Sequence, residues 1–92
     1  MGVVISTSGP GITNLVTPML DAQTDGVPLL VLSGQVGTDF IGTGAFQEAP
    51  ACKITSPVTK LSYCVKDVHE LPDVVDEAFE CEKCKMTFNL FN

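Results

Sequence analysis

One stretch restricts this chain more than any other: residues 3–34, VVISTSGPGITNLVTPMLDAQTDGVPLLVLSG. Val3, Val4 and Ile5 make a short β-branched run, and Leu29, Leu30, Val31 and Leu32 make another. Neither run alternates with polar residues, and continuous apolar runs suit strands covered on both faces, as in a parallel sheet. Between them Ile12, Leu15, Val16, Met19 and Leu20 recur at the spacing of a helix face packed on a sheet. The stretch therefore predicts strand, glycine turn, helix and strand, a βαβ unit. The fold class that follows is α/β, a partial doubly wound parallel sheet.

The turn Ser8-Gly9-Pro10-Gly11 is where such a unit meets ligands. In an open α/β sheet the strand-to-helix turns at the carboxyl ends of the strands expose backbone N–H groups. Ser6, Thr7 and Ser8 supply side chains that can cap the helix, Gly9 and Gly11 permit a tight turn and close approach, and Pro10 suits a first helical turn. Pro18 falls inside the helix pattern and predicts a kink, because it removes one hydrogen bond and clashes with the preceding turn. Asp25-Gly26 reads as the helix end, with Gly26 as a left-handed cap and Pro28 blocking continuation.

Residues 34–50, GQVGTDFIGTGAFQEAP, predict a loop leaving the carboxyl end of the second strand, where sites collect. Phe46, Gln47 and Glu48 join an aromatic face, an amide and a carboxylate, a set that can contact a heteroaromatic ligand. The same residues also suit a structural role, Phe46 plugging the loop and Gln47 capping a short turn. Ala51 to Ile54 predict a helical turn ended by Pro57. Leu61, Tyr63 and Val65 alternate with polar residues as a short, half-buried strand would. Leu71, Val74, Val75, Ala78 and Phe79 form the apolar stripe of an amphipathic helix, with Pro72 in its first turn and Asp73, Asp76, Glu77 and Glu80 opposite.

Taken together, SGPG-x-TN and GT-x-AFQE at this separation resemble the pyrimidine-binding domain of the acetolactate synthase (acetohydroxyacid synthase) large subunit, a thiamine-diphosphate enzyme. The likeness runs from about Val3 to Phe79 and divides the chain into a partial N-terminal domain, 1–80, and a divergent tail, 81–92. It implies that Pro10, Asn14 and Gln47 line the aminopyrimidine ring of thiamine diphosphate and that Gly26 lies near a flavin. Phe46, Lys60 and Gly37 correspond to substrate-channel positions, where a lysine would attract the carboxylate of a 2-oxo acid. Pro18, Gly44 and Leu61 depart from the usual pattern.

The reaction implied is carboligation, in which pyruvate loses carbon dioxide and its two-carbon remainder joins a second 2-oxo acid, a step toward branched-chain amino acids. The family adds Mg2+ and FAD and works as a homo-oligomer with sites at the subunit interface. No acid of this chain, Glu48 included, stands where the pattern places the activating glutamate, so no catalytic residue is assigned. The expectation is a fragment that is inactive alone. A related carboligase such as glyoxylate carboligase, a non-catalytic interaction module and a cysteine-bound zinc module are the alternatives.

Composition narrows the partners. The net charge is −6, with five lysines and no arginine, so the clustered positive charge that phosphate backbones require is absent. No apolar run approaches the roughly 20 residues that span a bilayer. Nothing after Met1 resembles a secretion signal, so a cytoplasmic location is expected, or a plastid or mitochondrion for a eukaryotic parent gene. At 45% hydrophobic residues and a mean hydropathy of +0.29, the chain has ample apolar side chains for a core and for further surfaces.

Cys81 and Cys84 form a CxxC pair, but Cys52 and Cys64 lack the close spacing of a second zinc pair. Free reduced thiols are the expectation, and no metal site is assigned. His69, the one histidine, has no evident serine or cysteine partner for a nucleophile triad.

Overall fold

The computed structural model describes residues 2–81 in full, together with the backbone of Glu82 and of residues 87–90. In chain order it contains β1 (Gly2–Ser6), α1 (Pro10–Thr13), α2 (Val16–Asp25), β2 (Leu29–Ser33), α3 (Ala51–Thr55), α4 (Leu71–Glu82) and β3 (Thr87–Leu90). Single 3₁₀ turns occupy Thr38–Phe40, Ser56–Val58 and Val68–Glu70. The strands form a parallel sheet in the order β1-β2-β3. Gly2 through Ser6 lie opposite Leu29 through Ser33, and Leu29 through Leu32 lie opposite Thr87 through Leu90. The α/β class and the βαβ unit thus stand as expected. The third strand falls in a segment whose sequence predicted none.

β2 is the centre of the molecule, and its uninterrupted apolar sequence follows from that position. Successive side chains point to opposite faces of a sheet, and both faces of β2 are covered. Val31, with Leu29 beside it, joins Ile12, Met19, Ala49 and Ala51 in one core cluster. Leu30, with Leu32 beside it, joins Val65, Val74 and Ala78 in the other. β1 differs. Val4 packs against the first cluster, whereas Val3 is 48% and Ile5 79% exposed. The expectation that β1 is covered on both faces therefore fails, because α4 packs chiefly over β2 and β3.

The helix expected after the turn is two helices. α1 ends at Thr13, Asn14 and Leu15 form a turn, and α2 begins at Val16. Pro18 explains the break: its ring excludes the carbonyl four residues back, which belongs to Asn14, and it sits harmlessly in the first turn of a new helix. The break also rotates the stripe. Ile12 and Met19 are fully buried, Leu15 and Val16 are half-buried, and Leu20 is exposed. Gly26 closes α2 at φ 68°, with its N–H bonded toward Ala22 and Gln23 carbonyls, as a left-handed cap should.

The segment 61–66 forms neither helix nor strand among the described residues. Its alternation survives in part: Leu61 and Val65 pack into the second cluster. The opposite side turns to α3, where the Ser62 hydroxyl lies 3.1 Å from that of Thr55 and 2.7 Å from that of Thr59. Pro57 sits inside the 3₁₀ turn Ser56–Val58 that continues α3, one turn further than expected. α4 follows its predicted stripe in part: Val74 and Ala78 are buried, Leu71 and Val75 are half-buried and the acidic face is exposed, but Phe79 is 41% exposed. No helix of the described residues is long and apolar enough to cross a membrane.

Candidate functional site

The carboxyl ends of β1 and β2 are stitched together by their last residues. The Ser6 hydroxyl donates to Ser33 Oγ at 3.2 Å, and the Gly34 N–H donates to the Ser6 carbonyl at 2.9 Å. Ser33, only 4% exposed, lies 3.2 Å from the carbonyls of Thr7 and Gly34. Ser6 is therefore a strand-end tie. The capping role expected of Ser6, Thr7 and Ser8 is not what they do: the N-cap of α1 is Gly9, and no side chain caps it.

Gly9 adopts φ 56° with ψ −114°, a positive-φ conformation that side-chain-bearing residues seldom tolerate. A Cβ there would lie 2.8 Å from both Cβ and the carbonyl oxygen of Gln47 and 2.9 Å from its Cα. The glycine turn and the loop 34–50 are thus in direct contact, and glycine is what permits it. Gln47 is itself held at φ 63°, the one positive φ among the non-glycine residues described. Such strain persists only where surrounding structure fixes it, and it gathers at functional positions.

The surrounding loop explains how Gln47 is fixed. Gln35 clamps the loop's base: its Nε2 donates to the Ala49 carbonyl at 3.0 Å, and its Oε1 accepts from the Val36 N–H at 2.9 Å. Glu48 organises the loop's tip. Its carboxylate accepts the N–H of Gly42 through one oxygen, and those of Gly44 at 2.8 Å and Ala45 at 3.1 Å through the other. The Gly42 N–H, followed by those of Gly44 and Ala45, holds the Glu48 carboxyl below its ordinary value. Glu48 is therefore an anionic loop anchor and not a ligand-facing acid. The carboxylate amid glycines four and six residues earlier was the signal available in the sequence.

The predicted site residues sort by position. Pro10 and Asn14 are exposed at the start of α1 and at the break after it, on the same edge as the Gly9–Gln47 contact. Phe46, beside Gln47, is 88% exposed, so it plugs nothing. Gly37 is exposed at the start of the Thr38–Phe40 turn, and Lys60 is exposed after the turn that follows α3. Gly26 is not brought to this edge: it ends α2 and precedes β2, at the amino ends of the strands. A cavity of about 480 Å³ lies on another side of the loop, lined by Gln35, Ile41, Glu48, Ala51, Cys52 and Cys64 among others. It contains neither Pro10, Asn14 nor Gln47, so the meeting of the two loops, and not this cavity, is the candidate ligand site. Among the described residues no three His, Cys, Asp or Glu side chains gather to hold a metal. The Cys84 half of the CxxC pair lies outside the described residues.

A glycine turn at the carboxyl edge of a parallel sheet, met by the loop leaving the adjacent strand, is the ligand-binding end of an open α/β domain. Residues 1–54 match the family described as thiamine pyrophosphate enzyme, N-terminal TPP binding domain, and the chain belongs to that family. It is similar to the mitochondrial acetolactate synthase of Schizosaccharomyces pombe, 57% identical over 79 residues, which are 86% of this chain and 12% of that protein. The mitochondrial acetolactate synthase catalytic subunit of Saccharomyces cerevisiae is also 57% identical over 79 residues, again 86% and 12%. The chloroplastic acetolactate synthase of Arabidopsis thaliana is 50% identical over 78 residues, 85% of this chain and 12% of that protein. The chain thus spans about one eighth of the length of these curated relatives.

Proposed function

We propose that this chain is a part of an acetolactate synthase and forms the wall of its thiamine-diphosphate site that faces the aminopyrimidine ring. The observation that carries the reading is the contact of Gly9 with Gln47, where a Cβ would fill the space that the Gln47 backbone occupies. In this reading Gln47 presents its amide to the ring's polar edge, Pro10 packs on its face, and Asn14 offers a hydrogen-bonding side chain. The cofactor, when bound, supplies the stabilised carbanion needed to join pyruvate to a second 2-oxo acid. Phe46, Lys60 and Gly37 border the substrate, Lys60 drawing in the carboxylate.

The chain's own acids do not supply a base to the ring. Glu48, the acid nearest Gln47 in sequence, is occupied by three backbone N–H groups. In this proposal the activating glutamate, the Mg2+ and diphosphate contacts and the FAD, toward which Gly26 points by resemblance, belong to the remainder of a homo-oligomeric enzyme. The sheet is then a portion of a doubly wound domain, and the compartment is that of the parent, cytoplasmic or organellar. Titration calorimetry with thiamine diphosphate and Mg2+, run beside a pyruvate turnover assay, tests the reading. Cofactor binding that is lost in Gln47→Ala, without turnover, is the expected result; robust turnover by this chain alone contradicts it.

A further inference from the structure

Two thiols that the proposed function does not use meet beside the loop. Cys52 is half-buried in α3 and Cys64 is exposed on the segment 61–66, and both line the same cavity. Register brings them together. Ser62 lies 3.1 Å from Thr55 across this junction. Two residues on from Ser62 is Cys64, which lines the cavity together with Cys52. One turn back along the same helix face, three residues earlier, is Cys52. Cys64 accordingly stands close enough to help push the Cys52 thiol up, while both remain free thiols.

We propose that Cys52 and Cys64 form a reversible intrachain disulfide that ties α3 to the segment 61–66 across the cavity rim. The oxidant is a low-molecular-weight disulfide of the glutathione type. The exposed Cys64, as thiolate, attacks one sulfur of that disulfide, forming a mixed disulfide and expelling one glutathione thiolate. Cys52 then loses its proton and attacks Sγ of Cys64, forming the Cys52–Cys64 bond and expelling the second glutathione. Two protein thiols lose two electrons and two protons, and the glutathione disulfide is reduced to two thiols.

The order of attack follows from the surroundings: burial first, then the adjacent Cys64, pushes the Cys52 thiol up to about 11, so Cys52 is the poorer initiator. The bond stands on the α3 junction alone, whatever ligand the glycine turn accepts.

The full chain tests this, because its five lysines put each cysteine on its own tryptic peptide: Cys52 on 1–53, Cys64 on 61–66, Cys81 on 67–83 and Cys84 on 84–85. The chain is equilibrated with glutathione and glutathione disulfide, blocked with iodoacetamide, digested and read by mass spectrometry. Peptide 1–53 joined to 61–66, lighter by two hydrogen atoms than the reduced pair and released by dithiothreitol, is the expected product. Cys64→Ser abolishes this species and leaves Cys52 open to alkylation, whereas Cys81→Ala leaves the species intact. In denaturant the pairing moves to Cys81 and Cys84, whose loop is the shortest to close. Recovery of Cys52 and Cys64 both alkylated, a link only between separate chains, or the same pairing with and without denaturant each overturns the proposal.

Discussion

The backbone of Gln47 lies where a side chain of Gly9 would be: a Cβ on Gly9 would stand 2.8 Å from the Gln47 carbonyl oxygen. One residue thus joins two loops that follow different strands. Gly9→Ala is expected to destabilise by about 1–3 kcal/mol through its positive-φ backbone alone, with a further cost from displacing a neighbour that is backbone. Thermal melting reads the stability, and calorimetry with thiamine diphosphate reads the loss of affinity that follows when Gln47 moves.

Gln47 supports the complementary experiment. Its φ of 63° costs a glutamine about 1–2 kcal/mol that a glycine does not incur. Gln47→Gly is therefore expected to raise the melting temperature by several degrees, since about 1 kcal/mol moves a domain of this size by roughly 4–8 °C. Cofactor affinity should fall in the same variant, because the amide is gone. A variant that is both less stable and unchanged in binding contradicts the assignment of this strain to a ligand position.

Glu48 gives the loop a pH dependence. Its carboxyl is held below the ordinary value of 4.5 by the N–H groups of Gly42, Gly44 and Ala45. The folded loop therefore favours the ionised form, and its stabilisation is fully present above the ordinary value and lost as pH falls through the depressed one. Hydrogen exchange at those three amides should show protection at neutral pH that disappears in acid. In Glu48→Gln the protection should be reduced at neutral pH and no longer vary with acid.

The break between α1 and α2 isolates the effect of Pro18. Pro18→Ala restores an N–H that can bond the Asn14 carbonyl, so a single helix from Pro10 to Asp25 is expected, with more helical circular dichroism and a protected amide at residue 18. Asn14 would then leave its turn conformation, and thiamine-diphosphate affinity should weaken. Equal affinity in a fused helix would remove Asn14 from the site.

Much of this arrangement was legible in the residues because the signals were local. The paired apolar runs as strands, the tight glycine turn, the Gly26 cap and the Val74 and Ala78 positions of the α4 stripe each depend on a few adjacent positions, and each stands in the structure. The meeting of Gly9 with Gln47 needed more, since residues 38 apart touch only once β1 and β2 pair. Family resemblance put Pro10, Asn14 and Gln47 in one site, while residues alone could not distinguish a ligand amide from a turn cap. Segment 61–66 misled for the opposite reason: alternation reports which side chains face inward, and Leu61 and Val65 do, but not whether a strand partner exists. Glu48 was misjudged because a carboxylate beside an aromatic and an amide looks ligand-facing, and that reading outweighed the glycines four and six residues earlier whose N–H groups it accepts.

The two faces of the sheet should respond unequally to substitution. Met19 is fully buried in the cluster under β1 and β2, so Met19→Ala is expected to cost about 2–5 kcal/mol, a large part of what a chain of this length can muster. Ile5, 79% exposed on the face that α4 leaves open, has little to lose. Ile5→Thr keeps β-branching and should stay within about 0.5 kcal/mol of the parent. Urea unfolding of the two variants measures both effects. Comparable destabilisation by Ile5→Thr would mean that the open face of β1 is covered in solution, contrary to the exposure seen in the structure.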